Sequence, residues 1–138
     1  MSNRTFTIIK PEVVAKGFEG KVLDAFSERG FRVVALKKTQ FSLEQASRFY
    51  AIHKDRPFFQ GLLKYITSSP VVVAILEKEN AVQDFRKLIG STNPAEAEEG
   101  TIRKKFGSNI EQNAVHGSDS DENAQIEGSY FFSLFEQY

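Results

Sequence analysis

The stretch Val71-Val72-Val73-Ala74-Ile75-Leu76-Glu77 contains the longest purely apolar run in the chain, and it decides how the other elements are arranged. A short run this rich in valine and isoleucine is typical of a buried strand. Ser68, Ser69 and Pro70 end a helical pattern before it, and Asn80 opens another after it. The sequence therefore predicts a strand over Val71–Glu77, and we expect it to be the most buried one.

Helical spacing flanks this strand on both sides. The apolar side chains before it recur at three- and four-residue intervals: Phe58, Phe59, Leu62, Leu63 and Ile66. Those after it do the same: Ala81, Val82, Phe85, Leu88 and Ile89. Pro57 suits the first turn of the earlier helix, whereas Asn80 is expected to cap the later helix and Gly90 to end it.

Two further strands are predicted nearer the N-terminus. Residues 5–9 form a short strand, which Pro11 ends because proline lacks the N–H that a central strand donates. Residues 31–39 are rich in β-branched and apolar side chains and predict another strand. Its apolar side chains are expected to alternate on one face: Phe31, Val33 and Ala35.

Two helices accompany these strands. One carries a helical stripe that ends at Gly30: Phe18, Val22, Ala25 and Phe26. The other follows Ser42 and Gln45, which have the spacing of a capping box, and it runs from Leu43 to about Ala51.

The last third of the chain is more polar. Residues 91–100 contain Asn93-Pro94 and predict a loop, followed by one helical turn near residues 101–106. Residues 113–116 predict a short fourth strand. Ser120 is expected to cap a final helix in which three side chains share one face: Ile126, Tyr130 and Leu134.

The order of elements favours an α+β fold. Strands and helices alternate without a repeat or a linker, which predicts a single domain over residues 1–138. A helix pair on one face of a mostly antiparallel four-stranded sheet accommodates this order best. A doubly wound α/β sheet is the alternative, but the strands are short and the first turn lacks a glycine-rich loop.

Composition limits the kinds of function. The 138 residues carry 18 Lys and Arg against 18 Asp and Glu, so the balanced charge argues against a protein that binds nucleic acid through phosphate contacts alone. The chain has no cysteine, which excludes disulfides, thiolate metal ligands and a thiol nucleophile. No apolar run approaches the roughly 20 residues that span a bilayer, and no signal peptide is evident. We therefore expect a cytoplasmic protein without a membrane partner.

The chain has two histidines with different surroundings. His53 lies in the polar stretch His53-Lys54-Asp55-Arg56, which favours a solvated surface position. His116 ends an apolar segment just before a predicted helix, where it is either a simple turn residue or a nucleophile held on rigid elements.

Glu127 is the residue that favours the second interpretation of His116. It lies seven residues beyond Ser120, two helical turns along and on about the same face, so it can reach back to one imidazole nitrogen. Such a contact fixes the tautomer and leaves the other nitrogen free to attack. The alternative is one more solvated glutamate.

A phosphate-binding site in this sequence would have to be built from scattered cations. The segment from Gly17 to Lys21 is not a phosphate-binding loop, because only two residues separate its glycines and valine follows the lysine. Lys10, Arg86 and Arg103 are the remaining candidates, although each of them taken alone is better explained as a surface charge.

Five separated motifs, in order along nearly the whole chain, resemble those of nucleoside diphosphate kinases. The longest is Asn113-Ala114-Val115-His116-Gly117-Ser118-Asp119-Ser120, with Ala124 and Glu127 downstream. The others are Ile8-Ile9-Lys10-Pro11, Arg56-Pro57-Phe58-Phe59, Ser69-Pro70-Val71-Val72, and Gly90-Ser91-Thr92-Asn93-Pro94 with Gly100-Thr101-Ile102-Arg103. Glu12 departs from the usual Asp by one methylene, and Asn123 stands where Ser or Ala is commoner; neither departure is expected to matter much.

The resemblance implies a ferredoxin-like α+β sandwich that transfers a γ-phosphoryl group from a nucleoside triphosphate to a diphosphate. His116 would be the nucleophile, with Glu127 and Ser118 holding its ring. By the family pattern, the phosphates and ribose would be bound or steadied by Lys10, Tyr50, Arg86, Thr92, Arg103 and Asn113. Phe58 would stack on the base, with Leu62 and Ile110 beside it.

The resemblance also implies a cofactor and an assembly. Mg²⁺ would be carried on the nucleotide phosphates rather than by protein ligands, and the chain would form a homo-oligomer, a tetramer or hexamer. An exposed edge such as residues 31–39 is able to pair across a twofold axis. Two alternatives remain at this point: a nucleic-acid-binding module of the same fold, and a relative that has lost catalysis.

Overall fold

The computed structural model describes residues 3–138, and its centre is a four-stranded sheet. The strands are β1 (Arg4–Ile9), β2 (Arg32–Thr39), β3 (Val71–Glu77) and β4 (Val115–Gly117). Their order is β2-β3-β1-β4, and every neighbouring pair is antiparallel. This arrangement confirms the predicted α+β class and excludes the doubly wound parallel sheet.

Seven α-helices surround the sheet in the described part of the chain. They are α1 (Pro11–Ala15), α2 (Glu19–Glu28), α3 (Leu43–Phe49), α4 (Phe59–Ile66), α5 (Ala81–Ile89), α6 (Ile102–Phe106) and α7 (Asp121–Phe131). Short 3₁₀ turns occupy Ala51–His53, Pro94–Glu96 and Leu134–Glu136. Helix α1 was not predicted from the sequence, because it is too short to show a helical stripe. Within residues 3–138, no helix is long and apolar enough to span a bilayer.

Strand β3 packs against helices on both of its faces. Val72, Ala74 and Leu76 belong to one buried cluster with side chains from α2 and α5. Val71, Val73 and Ile75 belong to a second cluster with side chains from α3 and α4. The predicted helix pair on a single face was therefore incomplete, because a strand that is apolar on both sides needs cover on both sides.

A β-bulge in β2 corrects the predicted alternation of that strand. Val33 pairs with Leu76, but Ala35 pairs with Ile75, so one extra residue is inserted between the two pairs. The bulge moves Ala35 to the opposite cluster from Phe31 and Val33. The strict alternation predicted from the sequence was wrong because one inserted residue shifts every later side chain to the other face.

Two of the three predicted N-caps are confirmed. Ser42 and Gln45 form the capping box of α3, and the Ser120 side chain accepts a hydrogen bond from the amide of Asn123. Asn80 stands at the N-cap of α5, but its side chain makes no cap hydrogen bond. Its backbone instead adopts the left-handed conformation, with φ 55°. Asparagine tolerates that conformation better than most residues.

The last helix faces the sheet with small residues rather than with its large ones. Its buried residues are Ala124 and Gly128, and a Cβ added at Gly128 would come within 3.1 Å of Ile75. Ile126 and Tyr130 are exposed, and Leu134 lies beyond the end of the helix. The predicted apolar face is therefore not a core face, because the close approach leaves room for small side chains only.

Phe85 is expected to be a major source of stability. It is fully buried, and its ring packs edge-on against Phe26 and Phe31. Phe85→Ala should lower the free energy of unfolding by about 3–5 kcal/mol, because it removes the packing and leaves a cavity. Chemical denaturation followed by circular dichroism measures this loss. The exposed control Ile52→Ala should change the free energy by about 0.5 kcal/mol or less; equal effects of the two variants would contradict the described core.

Candidate functional site

His116 is fixed by strand pairing and by aromatic packing. It lies on β4 opposite Ile8, and the hydroxyl of Thr7 donates a hydrogen bond of 2.7 Å to its carbonyl oxygen. The imidazole packs edge-on against Phe49, with 5.8 Å between the ring centroids. Its side chain is 23% exposed, so the ring is held firmly while part of it faces solvent. Strand β4 covers Val115–Gly117 rather than the predicted residues 113–116.

Glu127 contacts His116 as its spacing in the sequence predicts. Its Oε1 lies 2.8 Å from Nε2 of His116, and it also accepts a 2.7 Å hydrogen bond from the hydroxyl of Ser118. Ser118 is fully buried beside them. An ionised carboxylate at this position requires the proton on Nε2, which leaves the lone pair on Nδ1. Nδ1 forms no hydrogen bond with any described residue, so it is available to a ligand.

The backbone just before His116 is strained. Ala114 has φ 76°, and the amide of Val115 donates a 2.9 Å hydrogen bond to the carbonyl of Asn113 across it. This is a γ-turn with positive φ, which is rare and costs free energy in a residue with a Cβ. Strand β4 begins directly after this turn, at Val115.

Lys10 is buried next to this turn, so the interpretation of it as a surface charge was wrong. It is 9% exposed, and its Nζ donates hydrogen bonds of 2.7 Å to Oδ1 of Asn113 and 3.4 Å to the carbonyl of Glu111. Burial, together with the charge of Arg103, lowers the pKa of Lys10 to about 8. The side-chain Nδ2 of Asn113 in turn donates a hydrogen bond of 3.0 Å to the backbone carbonyl of Thr92.

Arg103 extends the cationic group. Its two terminal nitrogens donate to the carbonyls of Gly90 and Val115, at 3.0 and 2.9 Å, while its buried Nε has no hydrogen-bond partner among residues 3–138. Burial and the neighbouring charge of Arg86 lower the pKa of Arg103 to about 10. In the described chain, neither these two arginines nor Lys10 forms a salt bridge. Three cations that repel one another favour a polyanionic ligand.

The remaining predicted site residues lie directly after α3, at the start of or within α4, and in two loops. Tyr50 is buried after α3, and burial together with the charge of Glu127 raises its pKa above the ordinary range. Phe58 is half exposed at the start of α4, and Leu62 lies one turn further on. Thr92 and Ile110 lie exposed in the loops that follow α5 and α6.

Two features of this region were not predicted from the sequence. His53 is partly exposed, as a surface position requires, but its ring also packs against Phe58, with 5.6 Å between the ring centroids. Glu12 contacts both Tyr65 and the amide of Ala114. The only signal in the sequence for this contact was the position of Glu12 directly after Lys10-Pro11.

Comparison with known proteins points to one family. The sequence model described as nucleoside diphosphate kinase matches residues 3–137. A nucleoside diphosphate kinase of Flavobacterium psychrophilum is 53% identical over 99% of both chains, and one of Campylobacter jejuni is 57% identical over 94% of both.

Solved structures give the same result. The Aquifex aeolicus nucleoside diphosphate kinase superposes with a TM-score of 0.97 at 43% identity, and all of each chain is covered. A Halobacterium salinarum nucleoside diphosphate kinase in complex with CDP gives 0.94 at 34% identity, covering 100% of this chain and 92% of the other. The fold is therefore the ferredoxin-like sandwich that the sequence resemblance implies.

Affinity for polyphosphate should fall as the pH rises through about 8. Below that value Lys10 is charged. Above it the folded protein loses this cation, and the fraction of Lys10 that is charged falls about tenfold per pH unit. A bound phosphate favours the charged form, so binding at pH 9 should take up a proton. Calorimetric titration with tripolyphosphate in two buffers of different ionisation enthalpy measures both effects. Lys10→Met should bind weakly without this dependence; a wild-type affinity that stays constant from pH 7 to 9.5 would contradict the assignment.

Proposed function

The chain belongs to the nucleoside diphosphate kinase family, whose members transfer the γ-phosphoryl group from a nucleoside triphosphate to a nucleoside diphosphate, and we propose that His116 carries that group. The observation that supports this most directly is the contact between Glu127 and Nε2 of His116, which leaves Nδ1 free. Family membership favours this activity over a nucleic-acid-binding module or an inactive relative.

The transfer runs in two half-reactions at the same ring. Nδ1 of His116 attacks the γ-phosphorus, and the P–N bond forms as the bond from phosphorus to the β,γ-bridging oxygen breaks. The nucleoside diphosphate leaves with that oxygen and with the electron pair of the broken bond. A β-phosphate oxygen of a second nucleoside diphosphate then attacks the phosphorus of the phosphohistidine. The new P–O bond forms as the P–N bond breaks, Nδ1 regains its lone pair and a nucleoside triphosphate leaves, so ping-pong kinetics are expected. Glu127 accepts a hydrogen bond from the N–H at Nε2 and so stabilises the positive charge that develops on the ring.

The cationic group holds the phosphates in this proposal. Lys10, Arg86 and Arg103 offset the charge spread over the transferring oxygens, with further donors from Thr92 and from the hydroxyl of Tyr50. The raised pKa of Tyr50 keeps that hydroxyl protonated and therefore a donor.

The same group of residues bears on how the ribose and a metal ion are bound. Asn113 and Lys10 are proposed to contact the ribose. Because the site is rich in cations and donors, it suits Mg²⁺ only as an ion that arrives on the nucleotide phosphates, where the ion supplies charge neutralisation.

Phe58 is proposed to stack on the nucleobase, with Leu62 and Ile110 in apolar contact beside it. The half-exposed ring offers a flat face, and stacking on a face tolerates every base because it reads no base edge. The Halobacterium salinarum relative was solved with the pyrimidine nucleotide CDP. Broad base specificity is the expected consequence.

Assembly and location are also proposals. Strand β2 lies at one edge of the sheet, and we propose that it pairs with a second copy within a tetramer or hexamer. Large apolar side chains are exposed on the same strand and at the chain end: Leu36, Leu134, Phe135 and Tyr138. We further propose a cytoplasmic enzyme whose partners are nucleotides, with no membrane and no obligate nucleic acid.

Labelling tests the phosphohistidine. Incubation with ATP labelled at the γ-phosphate should leave acid-labile, base-stable label on His116, and a nucleoside diphosphate should remove it. His116→Ala should abolish labelling and reduce transfer by several orders of magnitude. Its free energy of unfolding should fall by about 1 kcal/mol or less, since the lost ring is partly exposed. Label on another residue, or none on folded wild-type protein, would contradict the proposal.

Phe58→Ala should weaken nucleotide affinity by a similar factor for all bases. Loss of stacking costs about 1–3 kcal/mol per base, which corresponds to roughly 5- to 150-fold. Equilibrium binding of ADP, GDP, CDP and UDP measures the change, and Phe58→Tyr, which keeps an aromatic face, serves as the matched control. A defect confined to purines would be incompatible with stacking that reads no base edge.

A further inference from the structure

We propose that Glu12 is a positioning residue that holds the strained turn before His116, with Tyr65 as its partner. The proposal rests on the function assigned to His116 and extends the set of residues needed for it. Glu12 touches neither the phosphates nor the imidazole in this account. It acts through the backbone of Ala114.

The carboxylate of Glu12 joins three elements. Glu12 lies in the first turn of α1, and its Oε1 accepts a hydrogen bond from the hydroxyl of Tyr65 on α4. Its Oε2 accepts a 3.2 Å hydrogen bond from the amide of Ala114, next to the start of β4. Burial, with the hydrogen bond to Glu12, raises the pKa of Tyr65 above its ordinary range, so its hydroxyl remains a donor.

Both backbone polar groups of Ala114 are held by one short segment. Glu12 accepts from the amide of Ala114, and the amide of Lys10 donates a 2.9 Å hydrogen bond to its carbonyl. Ala114 is fully buried, so without Glu12 its N–H would lack a partner at a position that is already strained. The turn would then relax to a more favourable φ.

Relaxation of this turn would displace the reacting groups. Asn113 and its contact with Lys10 lie directly before Ala114, and His116 lies two residues after it. A misplacement of about 1 Å in such a site costs roughly 100-fold in rate, because the attacking atom must be aligned with the bond that breaks. The effect should therefore appear in the chemical step more than in the stability of the protein.

Glu12 also acts on Lys10 through its charge. Lys10 faces Arg103, which lowers its pKa, and Glu12 and Glu111, which raise it; the Nζ also lies 5.9 Å from the centre of the uncharged Tyr65 ring. Removing the charge of Glu12 should therefore lower the pKa of Lys10 further. Glu12→Gln separates the two effects, because the amide oxygen still accepts from Ala114 but carries no charge.

The test compares four variants with the wild type. Single-turnover phosphorylation of His116 by ATP labelled at the γ-phosphate gives the rate of the chemical step, and equilibrium titration gives ATP affinity, both from pH 6.5 to 9.5. The variants are Glu12→Ala, Glu12→Gln, Tyr65→Phe and, as an exposed control at the end of α2, Glu28→Gln.

Glu12→Ala should slow phosphorylation at saturating ATP by about 10- to 100-fold, while ATP affinity at pH 7 changes by about threefold or less. Glu12→Gln should stay within about fivefold of the wild-type rate at pH 7, but its loss of ATP affinity at alkaline pH should begin at a lower pH. Tyr65→Phe should slow phosphorylation by a few-fold without moving that pH. Glu28→Gln should behave as wild type.

A wild-type rate and pH profile in Glu12→Ala would overturn the proposal, as would a Glu12→Gln profile that coincides with that of the wild type. If Glu12→Ala fails to fold, the Glu12→Gln pH profile and the Tyr65→Phe rate decide the question. The function of His116 is judged separately by labelling of the wild type: wild-type label with unchanged variants refutes only the role of Glu12, whereas unlabelled wild type refutes the proposed function as well.

Discussion

The hydrogen bond between Glu127 and Nε2 of His116 is the interaction on which the site depends. It joins the last helix to the edge strand of the sheet, and the buried hydroxyl of Ser118 restrains the same carboxylate oxygen. One imidazole nitrogen is thereby bonded to the protein, and the other is free to contact a ligand. The aromatic ring of Phe49 then limits how the imidazole can turn.

The fold that holds this interaction in place also contains strained backbone and buried cations close to it. A γ-turn with positive φ at Ala114 brings the chain sharply into β4. Burial and the charge of Arg103 lower the pKa of Lys10, while burial and the charge of Arg86 lower the pKa of Arg103. Both features raise the free energy of the protein without a ligand. The backbone strain is offset by contacts made nearby, and the repulsion between the cations is offset by an anionic ligand. A site that repels its own cations is one that gains from binding phosphate.

Much of the framework was readable from the sequence, because the signals there are local. The apolar run of β3, the capping box at Ser42 and the cap at Ser120 depend on neighbours in the chain, and the structure confirms them. The spacing from Ser120 to Glu127 placed that carboxylate within reach of His116 but left a solvated glutamate as the alternative, and the structure shows the contact.

The rest depends on contacts distant in sequence. The bulge that turns Ala35 to the other face of the sheet arises from pairing with β3, and the small residues of α7 reflect how closely that helix approaches Ile75. Burial of Lys10 and the contact of Glu12 with Ala114 join segments about a hundred residues apart, with no periodic pattern to reveal them.

The position of phosphorus on the imidazole tests the central claim most directly. Protein labelled with ¹⁵N, phosphorylated by ATP and kept at alkaline pH gives a phosphorus–nitrogen coupling in NMR that identifies the substituted ring nitrogen. The hydrogen bond from Nε2 to Glu127 predicts phosphorus on Nδ1 of His116. Phosphorus on Nε2 would mean that Glu127 does not hold that nitrogen during the reaction, and the account of the site would be wrong.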